Sequence, residues 1–184
     1  MPEDQDRNEN AVDQSLIARW REGDERAATV LVERHATALA RYVASLGERE
    51  AVEEVVQDTF VRGFSSLESF RGESALRTWL FTIARRLVLD RRRAAKRRRD
   101  VGSLEGVDAA TEYTALDSII ADEAEGRVRE AVQRLSPTQR EVFTLRVSEG
   151  LSYKEIAEIV GTTAGAARVH YHNALRTVKE MLYV

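Results

Sequence analysis

The chain has 184 residues, 32% of them charged and 7% aromatic, with a formal net charge of −3 and no cysteine. That length is generous for one small helical domain and comfortable for two, and the shortage of aromatics leaves Leu, Val, Ile and Ala to build any core. The missing cysteine excludes disulfides, zinc–thiolate centres and thiol catalysis, and no apolar run approaches the roughly 20 residues that cross a bilayer.

Residues 1–12 are polar and acidic, which predicts a disordered tail and is unlike the basic start and apolar middle of a signal peptide. Asp13 is a good N-cap for a first helix carrying Leu16, Ile17 and Trp20 up to the break at Gly23. Asp24 then caps a longer helix. Its Ala27, Ala28, Leu31, Ala38, Leu39, Tyr42, Val43 and Leu46 recur at three- and four-residue steps until Gly47. A third helix, from about Glu50 to Leu67, buries Val52, Val55, Val56, Phe60 and Phe64. Glu53, Glu54, Gln57 and Asp58 are left as an acidic-polar surface, a pattern that by itself also fits a solvated helix face.

Ser69 to Ser74 has turn composition and opens a fourth helix striped by Leu76, Trp79, Leu80, Ile83 and Leu87. This helix runs on into a stretch in which nine of the fifteen residues from Arg85 to Arg99 are Arg or Lys. From Asp100 to Gly126 there is no basic residue and eight are acidic, so the small net charge conceals strong segregation. Residues 100–116 read as a flexible acidic linker. Helices at about 117–134, 137–149, 152–160 and 164–182 follow, with Pro137 suited to a first turn. The expected fold is all-α: a tail (1–12), a helical domain (13–99), the linker (100–116) and a second helical domain (117–184).

Within the second domain, Ser152 and Glu155 fit a capping box, Gly161 a turn, and Thr163 a cap before the last helix. Ile156, Ala157 and Val160 face that helix, whose Ala167, Tyr171, Ala174, Leu175, Val178 and Leu182 share one side. The opposite side carries Arg168, His172, Arg176 and Lys179, donors of the kind that base edges and phosphates accept from a helix in the major groove. The bland counterpart is a helical hairpin with solvated basic residues. His170 and His172 lack the spacing and the third ligand of a metal site, so no metal is expected.

In the first domain, Phe64, Phe70 and Trp79 surround the turn, with Arg71, Arg77, Arg85 and Arg86 close in sequence. Rings interleaved with guanidinium groups suit single-stranded DNA, where bases stack and phosphates are held. Trp79 lies on the apolar stripe and reads as core, whereas Phe70 reads as functional. The following basic run adds salt-dependent phosphate binding, or is simply a basic tail.

Three motifs, in order, carry a resemblance. Val52 to Arg62 resembles the core-polymerase-binding helix of extracytoplasmic-function (group 4) sigma factors of the sigma-70 family. Ser69 to Arg86 resembles their promoter-melting and −10-reading segment, and Leu135 to Ala157 the start of their −35-reading domain. The resemblance implies that Glu53, Glu54, Gln57, Asp58 and Phe60 meet the β′ clamp helices of core RNA polymerase. It implies that Phe64, Phe70, Arg71, Arg77, Arg85 and Arg86 take the melted −10 strand. Arg140, Tyr153, Lys154, Arg168, His172, Asn173 and Arg176 would serve the −35 duplex, and apolar residues of the second domain would seat it on the β flap. The linker would thread the polymerase cleft, and an anti-sigma factor would mask the polymerase-binding surfaces.

Arg86, where the family often has Asn, and Ala166, Val169 and Asn173, where it commonly has Thr, Ser and a basic residue, imply altered promoter preferences. An ordinary helix-turn-helix regulator leaves the Gln57–Phe60 motif and the aromatic turn unexplained. An enzyme would need a phosphate loop, metal cluster or nucleophile–base pair, and the sequence has none. A cytoplasmic protein without cofactor, catalytic residue or membrane insertion is expected, and, with Val184 just past the last helix, no appended C-terminal domain.

Overall fold

The structure, a computed structural model, describes residues 2–101 and 123–182. Among these residues every regular element is a helix. The chain divides into two compact units, Met1–Ala44 with Glu48–Val88, and Ser45–Gly47 with Leu89–Val184.

Helix α1 spans Pro2–Arg21, so residues 2–12 belong to a helix and not to the expected tail. The far end of α1 is anchored by buried Leu16 and Ile17, which supply the nucleus from which such a helix extends. Asp13 is therefore no N-cap. It is 3% exposed in mid-helix and accepts from Arg34 Nε and His35 Nε2, each at 2.9 Å, which ties α1 to α2.

Gly23, at φ 94°, makes the break, and Asp24 accepts from the Arg26 N–H at 3.0 Å to cap α2 (Glu25–Ser45) as its sequence suggests. Helix α3 covers Val52–Ser65, and a short 3-10 turn follows at Leu67–Ser69. Helix α4 runs Leu76–Val101, carrying the basic stretch without interruption. In the core of this first unit, Tyr42 meets Phe81 edge-on at 5.0 Å, among buried Leu31, Leu39, Val43, Val55 and Leu80. Gly63 lets α3 and α4 approach closely, since a Cβ there would lie 3.1 Å from the Leu80 methyl.

Most of the expected linker, and residues 117–122 of the expected first helix of the second domain, lie outside the described residues. Helices α5 (Glu123–Gln133), α6 (Pro137–Val147), α7 (Tyr153–Val160) and α8 (Ala164–Leu182) follow. Their boundaries are written in local chemistry. Ser136 with Gln139 and Ser152 with Glu155 both form reciprocal capping boxes, and Pro137 takes the first turn of α6. Gly161 ends α7 in the left-handed region at φ 75°, which a side chain would resist. Thr163 Oγ1 then accepts from the Ala166 N–H at 3.1 Å. Ala131 and Leu135 pack with Ala174 and Val178 of α8, with Val132, Phe143, Met181 and Leu182 around them.

Candidate nucleic-acid interface

Helix α8 presents two unlike sides. Ala167, Ala174 and Val178 are buried, whereas Arg168, Val169, His172, Arg176 and Lys179 are exposed. A helix whose exposed side carries cationic and hydrogen-bonding groups is what the major groove accommodates. Helix α7 packs on α8 through buried Ile156, Ala157, Ile159 and Val160. Two helices joined by a glycine turn thus form the helix-turn-helix read from the sequence.

Tyr153, in the first turn of α7, is half-buried with guanidinium groups on it: Arg146 at 5.0 Å and Arg168 at 5.3 Å from the ring centre. The Tyr171 ring lies 6.0 Å away, and Tyr171 is itself stacked 6.2 Å from Phe143. Arg146 also donates to the Leu151 carbonyl at 2.7 Å, which fixes the loop entering α7. Lys154 is exposed, Asn173 half-buried, and His172 exposed with its ring edge-on to Tyr171 at 5.7 Å. Arg146 was missed from sequence, because its partners are set by the turn between α6 and α7 and leave no periodic trace.

Arg140 is held against the end of α5. Its Nε donates to the Val132 carbonyl at 3.2 Å and its Nη2 to the carbonyls of Leu135, at 3.2 Å, and Gln133. These carbonyls lie at and just beyond the end of α5, and that of Val132 also accepts from the Leu135 N–H at 3.2 Å, so the side chain closes a helix terminus. Partial burial lowers the pKa of this guanidinium from its ordinary value, and it remains charged at any physiological pH.

In the first unit, Glu53, Glu54 and Gln57 are exposed and Asp58 half-buried along one side of α3, opposite buried Val55, Thr59, Phe60 and Gly63. Phe60 is only 6% exposed and stacks on Phe64 at 6.1 Å, so its ring belongs to the core. Phe64 is half-buried between Phe60 and Trp20, whose ring is 5.6 Å away.

Phe70, read from sequence as functional, is 8% exposed and packs against Trp79 at 4.9 Å. Trp79 is the half-buried member of that pair. The turn itself is held from below. Arg21 Nη2 donates to the carbonyls of Leu67, at 2.9 Å, and Phe70, at 3.4 Å, pinning both ends of the segment that precedes Arg71. Arg71, Gly72 and Glu73 are exposed, and Gly72 adopts φ 72°. Arg86 is exposed, while Arg77 and Arg85 are half-buried on α4. Arg21 carried no sequence signal, since it sits 46 residues from its nearer partner.

No described helix is long and apolar enough to cross a membrane. Among the described residues there is no cluster of three or more His, Cys, Asp or Glu that could hold a metal ion.

Comparison with known proteins brings these features together. Residues 31–98 match the family described as Sigma-70 region 2, and residues 125–178 match Sigma-70, region 4. The ECF RNA polymerase sigma-E factor of Haemophilus influenzae is 32% identical over 95% of this chain and 97% of its own length. The RNA polymerase sigma-H factor of Pseudomonas aeruginosa is 30% identical over 92% and 93%. Among solved structures, the sigma factor RpoE of Bartonella quintana, in complex with the anti-sigma factor NepR, matches with a TM-score of 0.65 and 28% identity, covering 85% of this chain and 96% of RpoE. CnrH in complex with the cytosolic domain of CnrY matches with a TM-score of 0.66 and 29% identity, covering 93% and 97%. The chain belongs to the extracytoplasmic-function sigma factors of the sigma-70 family, which direct transcription initiation and are regulators of transcription, not enzymes.

Proposed function

We propose that this sigma factor binds core RNA polymerase through the exposed side of α3, reads the −35 element with α8, and takes the melted −10 strand at the turn before α4. The observation that carries the reading is the outward side of α8, where Arg168, His172 and Arg176 stand clear of the core on the second helix of a helix-turn-helix. Lys154 and Tyr153 lie at the start of α7, where a helix N-terminus also favours a phosphate. Arg140 supports the −35 domain by closing α5 and makes no DNA contact of its own.

On the −10 side, exposed Arg71 and Arg86 hold phosphates, with half-buried Arg77 and Arg85 behind them. Half-buried Phe64 and Trp79 supply the ring surface. Phe70 keeps the turn in shape by packing beneath it, as Phe60 does for the α3 face. Residues 13–99 would thus serve the polymerase and the −10 element, residues 117–184 the −35 element and the β flap, and the acidic linker would thread the cleft between them. Relatives solved with NepR and CnrY support an anti-sigma partner for this chain as well.

Run-off transcription with purified bacterial core polymerase, this protein and a promoter library tests the reading. Transcripts that depend on the protein and share two sequence elements are expected. Tight duplex binding by the protein alone, with no core binding and no transcripts, would instead favour an ordinary helix-turn-helix regulator.

A further inference from the structure

The buried line of α8 is Ala167, Ala174 and Val178. At about 100° per residue, the positions farthest round the helix from that line are Gly165, Val169, His172, Arg176 and, in the last turn, Glu180, and all five are exposed. Four of them are at ease in water. Val169 is a branched apolar side chain that is 57% exposed on the midline of the face.

A single exposed valine on a protein surface ordinarily calls for no explanation. The surroundings of this one are less ordinary. Gly165, one turn earlier, has no side chain to hold a partner away, and Ala164 has only a methyl. Arg168 leans aside to lie over the Tyr153 ring at 5.3 Å. His172 and Arg176 bring hydrogen-bonding capacity and charge to the same face from the next two turns. The result is a low, cationic approach with one apolar group at its centre, and the complementary partner is polyanionic with one apolar group in a groove. In the major groove the only such group that a base pair presents is the C5-methyl of thymine.

We propose that Val169 is a specificity-determining residue that packs on the methyl group of a thymine in the −35 element. The inference rests on the reading of α8 as the −35-recognition helix and adds to it the base that one position selects. Val169 has neither donor nor acceptor, so it cannot pair with an exocyclic amine or a carbonyl. A cytosine at that position loses the methyl contact and leaves its amino group facing hydrocarbon, which strengthens the discrimination. The methyl contact alone is worth about fourfold in affinity, the value of one buried methyl group.

The test uses the full chain assembled with core polymerase. Selection from a promoter library defines the −35 element, and each of its thymines, on either strand, is then replaced singly by deoxyuridine, which lacks only the methyl group. Holoenzyme affinity is measured for each duplex. One thymine is expected at which deoxyuridine weakens binding about fourfold. At that position Val169→Ala is expected to bind the two duplexes equally, and more weakly than wild type binds the thymine duplex. Val169 is exposed, so the substitution removes no core contact. A −35 preference without any methyl-sensitive thymine, or methyl sensitivity that survives in Val169→Ala, would overturn this inference and leave the reading of α8 standing. Absence of any −35 sequence preference would overturn that reading and this inference with it.

Discussion

Asp13 accepts from two donors at once, Arg34 Nε and His35 Nε2, each at 2.9 Å. Burial alone pushes its carboxyl upward, but the hydrogen bond and charge of His35, then those of Arg34, outweigh burial and hold its pKa below the ordinary value. A carboxyl depressed in the folded state adds stability above its unfolded pKa of about 3.9. That contribution is lost as pH falls through the folded value. Asp13→Asn is therefore expected to lower the urea midpoint at neutral pH by the equivalent of about 2 kcal/mol, the worth of hydrogen bonds to a charged group. The gap between variant and wild type is expected to narrow on acidification below about pH 4. A gap that stays constant through that window would show that the charge of Asp13 contributes nothing.

Arg140 gives a second residue-scale prediction. Arg140→Ala is expected to destabilise its unit by about 1 kcal/mol by reopening the α5 carbonyls. It is also expected to leave the salt dependence of holoenzyme–promoter binding unchanged, whereas losing a phosphate contact lowers the slope by about one. Asp13 was misread from sequence, because Asp before an apolar run looks like a cap, and the hydrogen bonds of Arg140 left no sequence signal. What decides each is a partner brought close by packing: residues in α2 for Asp13, the end of α5 for Arg140. Phe70 belongs with them, since nothing in the turn sequence says that its ring folds under against Trp79.

Element boundaries were more legible, because their chemistry is local. The Ser152–Glu155 box, the Thr163 cap, Pro137 and the Gly161 stop all act within a few residues of themselves, and the structure has each of them where the sequence puts it. Helix α1 escaped because its acidic first half has no apolar stripe, and its helicity depends on what its second half buries. The same locality makes α7 testable. Ser152→Ala removes a cap worth about 1 kcal/mol, and Gly161→Ala forces a side chain into left-handed backbone for about as much. Since α7 spans only eight residues, both are expected to lower the thermal midpoint and promoter affinity together. On α3, exposed Glu53 and Gln57 lie one helical turn apart, so Glu53→Lys with Gln57→Lys reverses the character of the face without touching the core. The thermal midpoint is expected to hold while core-polymerase binding, followed by co-purification, falls at least tenfold, as for like charges brought together at an interface. Undiminished binding would remove α3 as the polymerase-facing element.

At the scale of the whole chain, the net charge of −3 is a balance between neighbours in sequence. The basic run that ends α4 is exposed at Arg92, Arg93 and Lys96 to Arg99, and the stretch from Asp100 to Gly126 holds eight acids and no base. Tethering so short keeps the acids at an effective concentration in the millimolar range or above. Acids tethered that close are expected to compete with DNA phosphates for the same cations in the free protein. Neutralising Glu105, Asp108 and Glu112 as their amides removes three of the eight acids. Non-specific duplex binding by the isolated protein is then expected to strengthen severalfold at about 50 mM salt. The advantage is expected to disappear near 1 M, where the screening length shrinks to about 3 Å. An advantage that persists at high salt would point to a contact other than charge competition, and no advantage at low salt would mean that the acids do not reach the basic run at all.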